Sequence, residues 1–141
     1  MDEEYHIAFV EKPDDAVWTA IGGGLQNYNI QIAGEEKFKR LCFVLYAPDQ
    51  SIAGGVIGEI FWEWLYISLM FVKDELRGHG YGQRLLTLIE DEARQNGARN
   101  VFLDTFSFQA PEFYKKHGYR VFGELPDFPR GQTRYYLTKQ L

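Results

Sequence analysis

The sequence predicts a mixed α/β domain built on one central β-sheet, and three observations carry that prediction. Trp64–Val72 is a nearly unbroken apolar run of β-compatible residues, the pattern of a strand buried on both faces in mid-sheet. Gly80–Asn96 repeats apolar residues at helical spacing through Tyr81, Leu85, Leu88, Ile89 and Ala93, with Arg84, Glu90, Asp91 and Arg94 expected on the outer side. Val101–Phe106 then returns to a buried-strand pattern, so the centre is strand–helix–strand with a hairpin before it.

The remaining elements follow from local chemistry. Tyr5–Glu11 has a strand pattern that ends at Pro13, and Asp14 and Asp15 offer N-cap chemistry for a helical stretch through Ala20. Gly22–Gly24 is expected to interrupt that helix, with a second short helix over Leu25–Ala33. Lys37–Ala47 is a strand, and the turn Pro48-Asp49-Gln50-Ser51 sends Ile52–Phe61 back as its hairpin partner. Gly97 is a C′ stop for the amphipathic helix. Pro111 opens a short helix that Gly118 closes, and Tyr119–Gly123 and Thr133–Lys139 are the last strands. The count is about seven strands in a single domain spanning 1–141.

Composition excludes several classes. The 141 residues, 45% apolar and 25% charged, match one globular domain. No apolar run reaches the ~20 residues that span a bilayer, and the acidic start Met1-Asp2-Glu3-Glu4 lacks secretory character, so a cytoplasmic location without membrane contact is expected. Cys42 is the single cysteine, which removes internal disulfides and cysteine-based zinc clusters; its strand pattern suggests a core residue. His6 and His117 are too isolated to suggest metal ligands, so no metal is expected. A net charge of −5 without a basic stripe argues against nucleic-acid binding.

The segment that carries chemistry is Arg77-Gly78-His79-Gly80-Tyr81-Gly82, between the buried strand and the amphipathic helix. A helix start presents unpaired N–H groups and positive dipole, which attract a phosphate. Alternating glycines let the backbone curl close to the anion, and Arg77 adds charge. The loop is neither a Walker loop, which ends in Gly-Lys-Ser/Thr, nor the G-x-G-x-x-G of dinucleotide binding.

Arg77-x-x-Gly80-x-Gly82 resembles the Arg/Gln-x-x-Gly-x-Gly/Ala signature of the GNAT superfamily of N-acetyltransferases, which binds the pyrophosphate of acetyl-CoA. Downstream, Phe113-Tyr114-Lys115-Lys116-His117-Gly118-Tyr119 resembles the family's Phe-Tyr-x-x-x-Gly-Phe segment. The resemblance implies a mixed sheet flanked by helices and splayed between two parallel strands. It implies that Met70, Phe71 and Val72 pair with the pantetheine arm, and that Arg77, Gly78, His79, Gly80, Tyr81 and Gly82 hold the pyrophosphate with Gln83 and Arg84 nearby. Phe113 and Tyr114 then lie beside the thioester.

Such a reaction needs a neutral amine, a donor for an oxyanion and a proton for the departing sulfur. The expected donor is a backbone N–H at the end of Trp64–Val72, with Phe71 the candidate. The Tyr114 hydroxyl is the general acid or a hydrogen-bond donor to sulfur. Some family members carry a glutamate base on the strand before the loop; the matching position here is Trp64, and its neighbour Glu63 is the candidate, with Glu59, Asp104 or a water relay as other routes. Tyr28, Asn29, Trp64 and Tyr66 are candidates for framing the acceptor, as aromatic walls for a cation or as core. The expected activity is acetyl transfer to a primary amine on a small molecule. A non-catalytic acyl-CoA sensor and a protein or peptide acetyltransferase are the other readings, and Tyr114 in register favours catalysis. Family members are often dimers, and Phe122–Tyr136 is a candidate interface for a homodimer.

Overall fold

The computed structural model describes residues 4–141, and the chain divides into two compact units between Glu36 and Lys37. Among the described residues, the first contains the α-helix α1 (Asp15–Ala33). The Asp14 carboxylate accepts the Val17 N–H at 3.0 Å and caps it. The expected break at Gly22–Gly24 does not occur. Each glycine weakens a helix by about 1 kcal/mol relative to alanine, which lowers stability without forbidding helical geometry. The chain leaves the helix at Gly34, whose φ is 85°. The expected strand at Tyr5–Glu11 is also absent, since its residues join no ladder. Period-two patterning prepares a strand, but pairing makes one.

The second unit holds β1 (Lys39–Tyr46), β2 (Ile52–Phe61), β3 (Trp64–Val72), α2 (Tyr81–Gln95), β4 (Asn100–Phe106), α3 (Pro111–Lys116), β5 (Arg120–Pro126) and β6 (Thr133–Gln140). The sheet has six strands rather than seven, in the order β1-β2-β3-β4-β6-β5. Neighbours are antiparallel except β3 and β4, which are parallel.

On one face, Val56, Ile60, Leu65, Ile67 and Leu103 form a core with Leu85, Leu86, Ile89 and Ala93 of α2. Gly58 allows this approach. A Cβ there would lie 2.9 Å from the Tyr66 carbonyl and 3.1 Å from Ile89 Cδ1. On the opposite face, the residues of this unit alone do not cover β3. Trp64, Leu69 and Phe71 remain exposed. Cys42 is exposed as well, one residue out of phase with the buried Leu41.

The register of β2 against β3 shifts between Ile57 and Gly58, so Ser68 is an extra residue in β3. The Ser68 hydroxyl lies 3.1 Å from both the Ile57 carbonyl and a Glu59 carboxylate oxygen. Pairing of β3 with β4 covers only Trp64–Ile67 against Asn100–Leu103, and ends where the bulge begins. Both strands continue beyond that point. The sheet is therefore splayed between its two parallel strands.

Glu90 departs from the outward position its helix pattern suggests. It is 6% exposed; it accepts the Tyr119 hydroxyl at 2.6 Å and Lys139 Nζ at 3.0 and 3.1 Å. Lys139 also donates to the His117 carbonyl at 2.9 Å, tying α2, α3 and β6 together. Burial and the bond to Glu90 push the Tyr119 phenol well up. A buried charge is tolerated when it is paired, and removing one partner leaves the other stranded. Lys139→Met should therefore destabilise the fold by about 3–5 kcal/mol in urea melts. The double variant Glu90→Gln with Lys139→Met should recover much of that loss; equal losses in both would refute the pairing.

Candidate active site

The gap between β3 and β4 brings together most of the residues marked by the sequence. Lys73 N–H donates to the Ala53 carbonyl at 3.0 Å, which fixes the hydrogen-bonding phase of β3 against β2. Amide direction alternates along a strand, so Phe71 joins that ladder while Met70 and Val72 turn their backbone groups toward the gap. Arg77 Nε, 3.3 Å from the Val72 carbonyl, marks the same edge.

Past the 3₁₀ turn Asp74–Leu76, the glycine loop leads into α2. Gly78 and Gly80 have φ of 82° and 83°, a left-handed conformation that glycine adopts without steric penalty. A Cβ at either would meet nothing within 4 Å, so the loop's outer surface is open to a ligand. The first helical bond of α2 runs from Arg84 N–H to the Gly80 carbonyl at 3.1 Å. The amides of Tyr81, Gly82 and Gln83 thus precede the helical ladder. The first turn of α2 contains no acidic residue. An open groove of about 540 Å³ is lined by Gly80, Gln83, Arg84, Thr87 and Leu88. Arg77 is exposed and pairs with Asp74 at 3.2 Å, while the Arg84 guanidinium sits 5.6 Å from the centre of the Tyr81 ring. Amides, dipole and cations converge here as an anion requires.

The loop and α3 touch. A Cβ at Gly82 would stand 3.4 Å from the Phe113 ring, so glycine lets the helix start close against α3. Phe113 and Tyr114 pack edge to face at 5.1 Å, and Tyr114 meets Tyr119 in the same manner at 5.7 Å. Tyr114 is buried, and its hydroxyl points at the Met70 sulfur, 3.6 Å away. That contact spans the gap from α3 to β3. Burial first, and the Asp104 charge second, push the Tyr114 phenol up to about 12.

The carboxylates separate by position. Glu63 stands in the β2–β3 turn, with an exposed side chain 3.7 Å from Arg99. Seven residues of strand, at about 3.3 Å each, put it roughly 20 Å from Met70. Its distance from the gap removes it as a base. Asp104 has both oxygens engaged, one by the Tyr66 hydroxyl at 2.8 Å and the other by Arg134 Nε at 2.9 Å. Glu59 is beside the bulge, held by Ser68 and by Arg40 Nε at 3.3 Å. Sequence reasoning assigned no role to Ser68, because a bulge has no local signature.

Trp64 and Tyr66 lie on the open face of β3, where Tyr66 stacks on Phe102 at 4.8 Å and Trp64 meets its edge at 6.0 Å. Burial and the bond to Asp104 push the Tyr66 phenol up to about 12. Tyr28 and Asn29 belong to α1 in the first unit. His79 is exposed within the loop. Among the described residues, no helix is long and apolar enough to cross a membrane, and no group of three His, Cys, Asp or Glu residues is placed to hold a metal ion.

Known proteins share this arrangement. The acetyltransferase (GNAT) family model matches residues 3–119. An acetyltransferase of Agrobacterium fabrum is 33% identical over 121 residues, covering 86% of this chain and 88% of that protein. Blasticidin-S acetyltransferase of Streptomyces morookaense is 41% identical over 91 residues, covering 64% and 67% of the two chains. The crystal structure of an acetyltransferase from Bacillus cereus superposes with a TM-score of 0.88 at 35% identity, covering 95% of this chain and 98% of that one. A Bacillus anthracis structure in complex with acetyl coenzyme A shares the fold at 20% identity and a TM-score of 0.64, covering 81% and 68%. With the phosphate-type loop, the splayed parallel strands and these relatives together, the chain belongs to the GNAT family of acetyltransferases and is an acyltransferase.

Proposed function

We propose that this chain, acting as one catalytic domain over 1–141, transfers an acetyl group from acetyl-CoA to a primary amine on a small molecule. The observation that carries this reading is the Tyr114 hydroxyl directed at Met70 across the gap, beside an open glycine loop. The name of the Streptomyces morookaense relative, blasticidin-S acetyltransferase, favours a small acceptor. The Bacillus anthracis complex favours acetyl-CoA as donor.

In this mechanism the amides of Tyr81, Gly82 and Gln83 hold the pyrophosphate, and Arg77 and Arg84 neutralise part of its charge. Met70 and Val72 pair with the pantetheine arm. The phase of β3 favours one of their amides over that of Phe71 as the donor to the developing oxyanion. Acetyl-CoA supplies the activated acyl group and the thiolate that leaves.

Tyr114, with its phenol at about 12, is fully protonated at neutral pH. Complete transfer to a thiolate of pKa about 8.5 would be uphill by about 5 kcal/mol before reaction. The proton therefore moves as the C–S bond breaks, with the hydrogen bond to sulfur strengthening as negative charge develops. An amine of pKa about 10.4 must first lose a proton. Glu59, beside the bulge, is the acceptor we assign, directly or through water.

Four outcomes test this reading. Acetyl-CoA at a hundred times its Kd should stabilise the chain by about 2.7 kcal/mol. Gly80→Val should abolish that thermal shift while keeping a cooperative melt, and a shift with ATP or NADH but not CoA would refute the loop's role. Tyr114→Phe should lower kcat by about 10²–10⁴-fold, roughly 3–5 kcal/mol, with nearly unchanged CoA affinity by calorimetry. A wild-type rate in that variant would remove Tyr114 from the chemistry. In a pH series, Glu59→Gln should lower kcat/KM by about 10²-fold at pH 7, and the deficit should shrink toward pH 10 as the free amine forms unaided. A pH-independent deficit would make Glu59 a structural residue.

A further inference from the structure

The edge of β4 that lines the gap is covered by one residue, Gln109. Ser107 N–H donates to the Thr133 carbonyl at 2.8 Å, and Leu141 N–H donates to the Arg99 carbonyl at 2.9 Å. Odd-numbered residues along β4 therefore direct their backbone groups toward β6. Amide direction alternates along a strand, so Asp104 and Phe106 turn theirs toward β3. Pairing with β3 has already ended at Leu103, which leaves Phe106 without a strand partner on that side.

Gln109 takes the partner's place. Its backbone N–H donates to the Phe106 carbonyl at 2.8 Å, and its side-chain Oε1 accepts the Phe106 N–H at 2.8 Å. One residue thus satisfies both backbone groups of Phe106, as a neighbouring strand would. The hydroxyl of the buried Thr105 donates to the same Oε1 at 3.2 Å and accepts the Ala110 N–H at 3.4 Å. The carboxamide is therefore held from two sides, at the turn into the helix that carries Tyr114.

These bonds fix which end of the carboxamide is which. A backbone N–H can only donate, so the atom facing it is the oxygen, and the amide nitrogen is turned away from Phe106. Nε2 carries two donor hydrogens and bonds to no other described residue. The result is a side chain anchored by its acceptor, with its donor left over on the rim of the gap.

We infer that Gln109 Nε2 donates to an amide carbonyl of the pantetheine arm of acetyl-CoA, across the gap from Met70 and Val72. The inference rests on the reading of acetyl-CoA as the acyl donor. An extended, peptide-like arm has polar groups along both edges, and β3 can serve only one of them. The N–H of Phe106 is spent on Gln109, so β4 reaches the arm through a side chain rather than through its backbone. A side-chain donor also extends further into a gap where two strands diverge than a backbone amide does.

Calorimetry on the full chain with two ligands separates this role from a structural one. The ligands are acetyl-CoA and adenosine 3′-phosphate 5′-diphosphate, which has the phosphates but no arm. Gln109→Glu keeps an oxygen for the Phe106 N–H and the Thr105 hydroxyl, but as a carboxylate it has no hydrogen to donate. Its Kd for acetyl-CoA should rise about tenfold, with the melting temperature and the affinity for the arm-less nucleotide unchanged. Gln109→Leu removes the oxygen as well, so it should lose the same affinity and also melt at a lower temperature. Wild-type affinity for acetyl-CoA in Gln109→Glu overturns the inference. An equal loss for the arm-less nucleotide also overturns it, because the effect would then come from charge or folding. Absence of acetyl-CoA binding by the wild-type chain would instead overturn the donor reading, and the inference with it.

Discussion

The bulge at Ser68 is the constraint on which the site depends. One extra residue in β3 bends the strand where its parallel partner β4 needs it straight, so pairing stops at Ile67 and Leu103. Beyond that point the two strands keep their own extended backbones but no longer satisfy each other. The β4-facing edge of β3, at Met70 and Val72, is then left for a ligand to pair with. A regular ladder would have consumed those groups within the sheet. The gap thus reflects a register constraint rather than a missing side chain.

What surrounds the gap is fixed by burial and by paired charge. α2 packs through Leu85, Leu86 and Ile89 onto the strands, and Gly58 and Gly82 permit close approach on its two sides. α3 is held from below by Tyr119, Glu90 and Lys139, the last bonding to the carbonyl of His117 at the end of that helix. This buried network reaches the gap through the contact of the Tyr119 and Tyr114 rings. It determines where Tyr114 stands, and burial of the same side chain raises its pKa. Position and protonation state therefore share their main cause, the burial of a phenol packed among Phe113, Tyr119 and Met70, to which the Asp104 charge adds.

Much of this arrangement was legible in the chain. The hairpin, the apolar run, the amphipathic helix and the glycine loop all rest on local rules: period two, period 3.6, positive φ at Gly78 and Gly80, and a helix start without acids. Local rules also misled in identifiable ways. Three consecutive glycines suggested a break, but an unbroken helix forms because weakness is not prohibition. Glu90 looked like a surface residue, because helical phase alone does not reveal that Lys139 and Tyr119 converge on it. Glu63 looked close to the chemistry because it neighbours Trp64 in sequence, yet it occupies the turn at the far end of a strand.

The sequence by itself determined most of the elements, the glycine loop before α2 and the place of Tyr114 in its short helix, since each depends on residues within a few positions of one another. The tertiary structure decided where β3 and β4 part, which amides face the gap, which carboxylates are engaged and which stand near it, and how a buried glutamate is neutralised. Those outcomes are set by pairings between residues distant in sequence, 11 positions apart for Ser68 with Ile57 and 49 for Lys139 with Glu90. No local pattern encodes them, because register and charge pairing exist only once the strands and helices have met.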